Sequence, residues 1–148
     1  MVSLVLPSVP MRNVVLDTSV VVSALRSRRG ASFEILAALG RGEFDVSVSV
    51  SLLLEYEATL LRHAGELDIA AEDAVGLVDY ICDVAIAQEI FFLWRPFLRD
   101  AGDDLVLEVA VAAGSDAIVT HNVRDFVGAE KLGIRVITPK QFLYQLRG

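Results

Sequence analysis

Apolar residues fall along this chain in two alternating rhythms. The run Val14, Val15 and Leu16 after Asn13 is short, β-branched and unbroken, as expected for a strand buried on both faces of a parallel sheet. It ends at Asp17, where Thr18 or Ser19 can cap a helix running to about residue 25. Arg26, Arg28, Arg29 and Gly30 mark the end of that helix, and a second helix is expected over residues 32–39. Val46, Val48 and Val50 then alternate with Ser47 and Ser49, which predicts a strand over 45–50. Leu52, Leu53, Tyr56 and Leu60 recur at three and four residues, so Ser51 is expected to cap a helix reaching about residue 63.

The same helical spacing links Ala74, Leu77, Val78, Ile81, Cys82 and Ala85, with Asp73, Asp79 and Asp83 on the opposite face. Residues 90–93 read as a short strand and 94–100 as a connection. A helix follows over 103–113, closed by Gly114. Strands over 117–120 and 135–138 and a terminal helix over 141–146 complete the chain. Helices alternating with about five strands predict a mainly parallel central sheet, an α/β chain with helices on both faces.

Composition supports one folded domain: 148 residues, 54% hydrophobic, is ample for a buried core. The net charge of −7 is regional. Between His63 and Trp94 stand seven acids (Glu66, Asp68, Glu72, Asp73, Asp79, Asp83, Glu89) and no Lys or Arg, while the remainder balances 13 acids against 13 bases. The sequence pI of 4.7 therefore argues against a broadly basic, nucleic-acid-coating protein without excluding an anionic substrate. Cys82 is the only cysteine, which excludes an internal disulfide and fits a reducing, cytoplasmic compartment. No apolar run reaches the ~20 residues of a membrane-spanning helix. Residues 1–10 are cut by Pro7 and Pro10 and lack a cationic start, so they read as an extension ahead of a domain spanning 11–148, not as a signal peptide.

Ligands of open α/β sheets bind outside the carboxyl ends of the strands. Asp17 ends the first strand, Glu55 lies one turn into the helix after the second, and Asp103 opens a late helix on the face of Val106, Leu107 and Ala110. Each has a plainer reading: a helix cap for Asp17, a solvated glutamate for Glu55, a dipole-favoured acid for Asp103. Asp104 is expected to point about a third of a turn away. Asn122 and Asp125 follow the strand ending at Thr120 and add oxygen donors at the same edge. So many acids together repel one another, raising their pKa values, unless cations neutralise them. Hard oxygen donors without a Cys/His cluster suit Mg²⁺ or Mn²⁺ and not structural zinc. His63 and His121, isolated in sequence, are not expected to be metal ligands.

The segments VVLDTSVVVSAL, SVSLLLEYEATLLR and DAGDDLVLEVAVAAGSDAIVTHNVRDF resemble, in order and separation, the successive motifs of the PIN-domain ribonucleases, especially the toxins of prokaryotic toxin-antitoxin pairs. The resemblance spans about residues 13–146. It implies a three-layer α/β/α fold and metal-dependent hydrolysis of RNA phosphodiester bonds. By it, Asp17, Glu55 and Asp103 hold the metal, with Asp104, Asn122 and Asp125 as further donors, and Thr18, Ser19 and Thr120 support the first acid. Family members carry Asp or Asn at the position of Asn122, so Asn here leaves occupancy by a second metal open. Arg26, Arg28, Arg29 and Arg62 are candidates for gripping flanking phosphates. The resemblance also implies a small antitoxin partner and a homodimer. Discounting the three metal-held acids leaves 10 acids against 13 bases outside the acidic stretch, which is expected to lie away from the RNA path.

Two other classes compete. A phosphoacceptor receiver module shares the size and the parallel strands, and Thr120 and Lys140 imitate its late Thr and Lys, but it would carry paired acids after the first strand. A catalytically inactive PIN-fold binding protein would keep the fold without the activity.

Overall fold

The computed structural model describes residues 12–90 and 97–147. Strand β1 (Asn13–Leu16) leads into helices α1 (Thr18–Arg26) and α2 (Ala31–Ala38). Strand β2 (Asp45–Val48) leads into α3 (Val50–Arg62), the single-turn α4 (Ala64–Leu67) and α5 (Ala71–Val84). The two-residue β3 (Ile86–Ala87) precedes α6 (Ala101–Ala113) and β4 (Ala117–Val119), and β5 (Arg135–Ile137) precedes α7 (Pro139–Arg147). Two short 3-10 turns, Val123–Phe126 and Ala129–Leu132, join β4 to β5.

The sheet order is β3-β2-β1-β4-β5, and every pairing is parallel. The middle strand β1 contributes Val14, Val15 and Leu16, all fully buried. Successive strand residues point to opposite faces, so both faces are covered, giving the expected α/β/α layering. Helix α6 packs across β1, β2 and β4. The chain builds outward from β1 through β2 to β3, then returns to lay β4 on the other side of β1. The strand order therefore reverses between β1 and β4, where α/β sheets open a crevice.

Helices α6 and α7 each begin two residues before the expected start, at Ala101 and Pro139, and three other boundaries differ from the periodicity for identifiable reasons. The second strand stops at Val48, because Ser49 caps α3: its Oγ accepts the Leu52 amide at 3.1 Å. Ser51 thus sits inside the helix, and Val50 is its first residue, 73% exposed. Val50, a valine that starts a helix, carries the alternation two residues too far. Second, the edge strand is Ile86–Ala87, paired with Ser47 and Val48, and Ile90 lies beyond it. Helix α5 ends at Val84 and delivers the chain directly to the sheet edge, whereas Ala85 in the helical rhythm had hidden that turn. The rest of the strand expected over 90–93 lies outside the described residues, as does the extension over 1–10. Third, α1 begins at Thr18 with Asp17 as the flanking residue, so neither Thr18 nor Ser19 is its cap.

Tyr56 ties α3 to the sheet. It is fully buried, and its hydroxyl donates to the Leu16 carbonyl, one residue before Asp17. Burial, then the Asp17 charge, pushes the phenol far above its ordinary range, so it remains a neutral donor. Tyr56→Phe leaves that carbonyl without its donor and is expected to cost about 1–2 kcal/mol. Urea unfolding checks this: the midpoint falls while the slope is unchanged.

Candidate functional site

Asp17 stands at the reversal between β1 and β4, and the surrounding chain fixes its carboxylate. Its backbone N–H donates to the Val119 carbonyl at 2.9 Å. Oδ2 accepts Ser19 Oγ at 2.6 Å and Thr120 Oγ1 at 2.8 Å. Thr120 Oγ1 in turn accepts the Asn122 amide at 2.9 Å, so the turn after β4 is built onto the same group. Ser19 and Thr120 thus support Asp17 through direct contact, and Thr18 lines the cleft beside them.

That cleft, about 560 Å³, is lined by Asp17, Glu55 and Asp103 together, with Arg26, Arg62, His121 and Asn122 among its other walls. Glu55 is brought there by α3, where Thr59 Oγ1 donates to Oε1 at 3.2 Å and Arg62 reaches Thr59 Oγ1 at 3.4 Å. Asp100 caps α6 by accepting the Gly102 amide at 2.7 Å. Gly102 permits a close approach: a Cβ there would lie 3.0 Å from Asp100 Oδ1 and 3.7 Å from Glu55 Oε1. The start of α6 therefore abuts the Glu55 carboxylate.

Asp103 also borders a second cleft of about 830 Å³, shared with Asp100, Arg124 and Asp125. Burial, then the charges of Asp17, Asp100, Asp125 and Asp104, pushes its carboxyl up to about 7. Beyond the burial, the charge contribution is the mutual repulsion expected of clustered acids. Asp104 behaves differently from its neighbour: it is buried, and its Oδ1 accepts the Leu98 amide at 2.9 Å. It braces the segment before α6 and does not line the Asp17 cleft.

The four arginines divide. Arg26 and Arg62 line the cleft, whereas Arg28 and Arg29 are exposed beyond the end of α1. Glu66 lies 3.7 Å from Arg26 and 3.2 Å from His63. The acidic stretch therefore reaches the cleft rim through Glu66, contrary to the expectation that all of it lies elsewhere. Sequence reasoning gave no role to Ser32, whose hydroxyl meets His121 Nε2 at 2.8 Å. The available signal for His121 was its position between Thr120 and Asn122, just past a strand end.

The donor chemistry can be tested against a divalent cation. Among the described residues no three His, Cys, Asp or Glu side chains form a ready-made coordination cluster. The carboxylates instead flank an open cleft. Their all-oxygen character and the raised Asp103 pKa nevertheless suit a hard cation, which would relieve the repulsion.

A family model described as the PIN domain matches residues 13–124. The chain belongs to the PIN-domain family. PIN domains are generally nucleases that use divalent metals. No curated protein matches this one. Among solved structures, VapBC2 from Rickettsia felis bound to a DNA fragment from their promoter is similar at a TM-score of 0.58 and 14% identity. The similarity covers 85% of this PIN-domain chain and 98% of that one, and it shows the shared fold. A receiver module is set aside, since its strand order is 2-1-3-4-5 and this sheet runs β3-β2-β1-β4-β5. Among the described residues, no helix is long and apolar enough to cross a membrane.

Proposed function

We propose that this PIN-domain protein is a Mg²⁺- or Mn²⁺-dependent endoribonuclease that hydrolyses RNA phosphodiester bonds. It acts in the cytoplasm as the growth-inhibiting toxin of a toxin-antitoxin pair. The observation that carries the reading is the meeting of Asp17, Glu55 and Asp103, from three separate elements, in one cleft at the strand reversal.

Asp17, Glu55 and Asp103 would hold the ion, with Asn122 and Asp125 as further donors on the β4 side. A divalent ion bound there supplies acidified water and screens the phosphate charge. The chain's own contribution is orientation. Ser19 and Thr120 fix the plane of the Asp17 carboxylate, and Thr59 holds Glu55 against the start of α6. In the metal-free cleft the Asp103 carboxyl is pushed up to about 7, so near neutrality this position exchanges its proton for the ion. Arg26 and Arg62 grip phosphates flanking the scissile bond, and Arg28 and Arg29 extend the basic run along the RNA. The partner is a small antitoxin, and the chain forms a homodimer. The similarity to VapBC2, bound to a DNA fragment from their promoter, supports an antitoxin partner.

Incubating purified protein with structured RNA tests the reading. Fragments are expected with Mg²⁺ or Mn²⁺ and none after chelation with EDTA. RNA left intact by correctly folded protein would overturn the nuclease reading and leave a PIN-fold binding protein.

A further inference from the structure

Asp17 ends the central strand, with β2 on one side and β4 on the other. The two arginines of the cleft come from the helices that follow β1 and β2: Arg26 ends α1, and Arg62 ends α3. On the β4 side the lining is His121 and Asn122. A nucleic-acid strand laid across the carboxylates thus meets arginines carried by α1 and α3 and His121 carried by the turn after β4.

His121 is solvent-exposed yet held at two points. Its Nε2 shares a 2.8 Å hydrogen bond with Ser32 Oγ, and Ser32 is only 1% exposed. Its backbone N–H donates to Ser19 Oγ at 3.2 Å, and that same hydroxyl donates to Asp17 at 2.6 Å. The imidazole is therefore oriented relative to the Asp17 carboxylate before any ligand arrives, so little rotamer freedom remains to be lost on binding. One ring nitrogen is committed to a buried hydroxyl. Among the described residues Nδ1 takes no partner. A neutral imidazole can donate or accept a hydrogen bond, whereas an ionised carboxylate only accepts.

We propose that His121 contacts the substrate, hydrogen-bonding through Nδ1 to a sugar-phosphate oxygen of the RNA on the β4 side of the scissile bond, with Ser32 as its positioning residue. The proposal rests on the nuclease reading and adds a defined contact to it. The oxygen belongs either to a phosphate or to a ribose 2′-hydroxyl.

Amide mimics separate this from a purely structural clamp, because the Asn amide stands near the position of Nδ1 and the Gln amide near that of Nε2. Binding of a short single-stranded RNA is followed by fluorescence anisotropy in EDTA, so that neither cleavage nor metal enters the readout. His121→Gln keeps the Ser32 contact and is expected to melt like the wild type while binding RNA about fivefold more weakly, the loss of one hydrogen bond. His121→Asn is expected to bind within twofold of the wild type. Ser32→Ala, which frees the ring, should fall between them. If the fivefold difference vanishes on a DNA strand of the same sequence, the contact is to the 2′-hydroxyl; if it persists, it is to a phosphate. Gln binding as tightly as His, or Asn losing affinity while Gln does not, would overturn the contact and leave Ser32–His121 a structural clamp. A folded wild type that neither binds nor cuts RNA would overturn the nuclease reading together with the contact.

Discussion

Asp17→Asn is expected to lower the rate of RNA cleavage by about 10³-fold, within the range for losing an essential acid-base or metal-holding group, while the protein stays folded. The side chain is 5% exposed and receives two hydroxyl hydrogen bonds on one oxygen. Asn keeps a carbonyl oxygen that can accept both, so the packing around β1 and β4 is preserved. What disappears is the negative charge at the strand reversal. Cleavage of end-labelled RNA, measured beside a thermal melt, separates the two effects. Cleavage reduced less than tenfold in a folded variant would show that the reaction does not depend on this carboxylate.

The second large effect is a competition between protons and divalent ions at Asp103. In the metal-free protein its carboxyl titrates at about 7, against an ordinary 3.8, so the folded state holds this proton more tightly than the unfolded chain. The contribution is fully present below about pH 4 and is lost as the pH rises through 7. The shift would correspond to about 4 kcal/mol in a fully desolvated group. Asp103 lines open clefts, and solvent screening reduces this to about 1–2 kcal/mol. Mg²⁺ or Mn²⁺ should therefore raise the melting temperature more at pH 8 than at pH 5, by roughly 3–6 °C. Asp103→Asn should stabilise the metal-free protein at pH 8 and flatten the difference. An equal response to metal at both pH values would show that Asp103 does not face the ion.

Much of this was legible in the sequence because the signals were local. The unbroken run before Asp17 announced a central strand, and Gly114 closed α6 in the left-handed conformation, as its position suggested. What failed was decided by atoms distant in sequence or by ambiguous rhythms. Val50 continued an alternation that Ser49 interrupts with its cap, and β3 is too short for period two to register. Asp103 and Asp104 are adjacent acids, and helical spacing favoured Asp103, which lines the cleft. It did not show that Asp104 would turn inward, which depends on the Leu98 amide six residues away. The Ser32–His121 contact spans 89 residues and could emerge only once the sheet order set β4 beside β1.

If Asp17, Glu55 and Asp103 act as one metal centre, the protein binds Mn²⁺ directly through all three. Mn²⁺ titrated into the purified protein near pH 8, followed by electron paramagnetic resonance, should show bound ion that Mg²⁺ displaces. Asp17→Asn, Glu55→Gln and Asp103→Asn should each weaken that binding at least tenfold while remaining folded. Absent Mn²⁺ binding, or binding that survives all three substitutions, would contradict a shared metal centre.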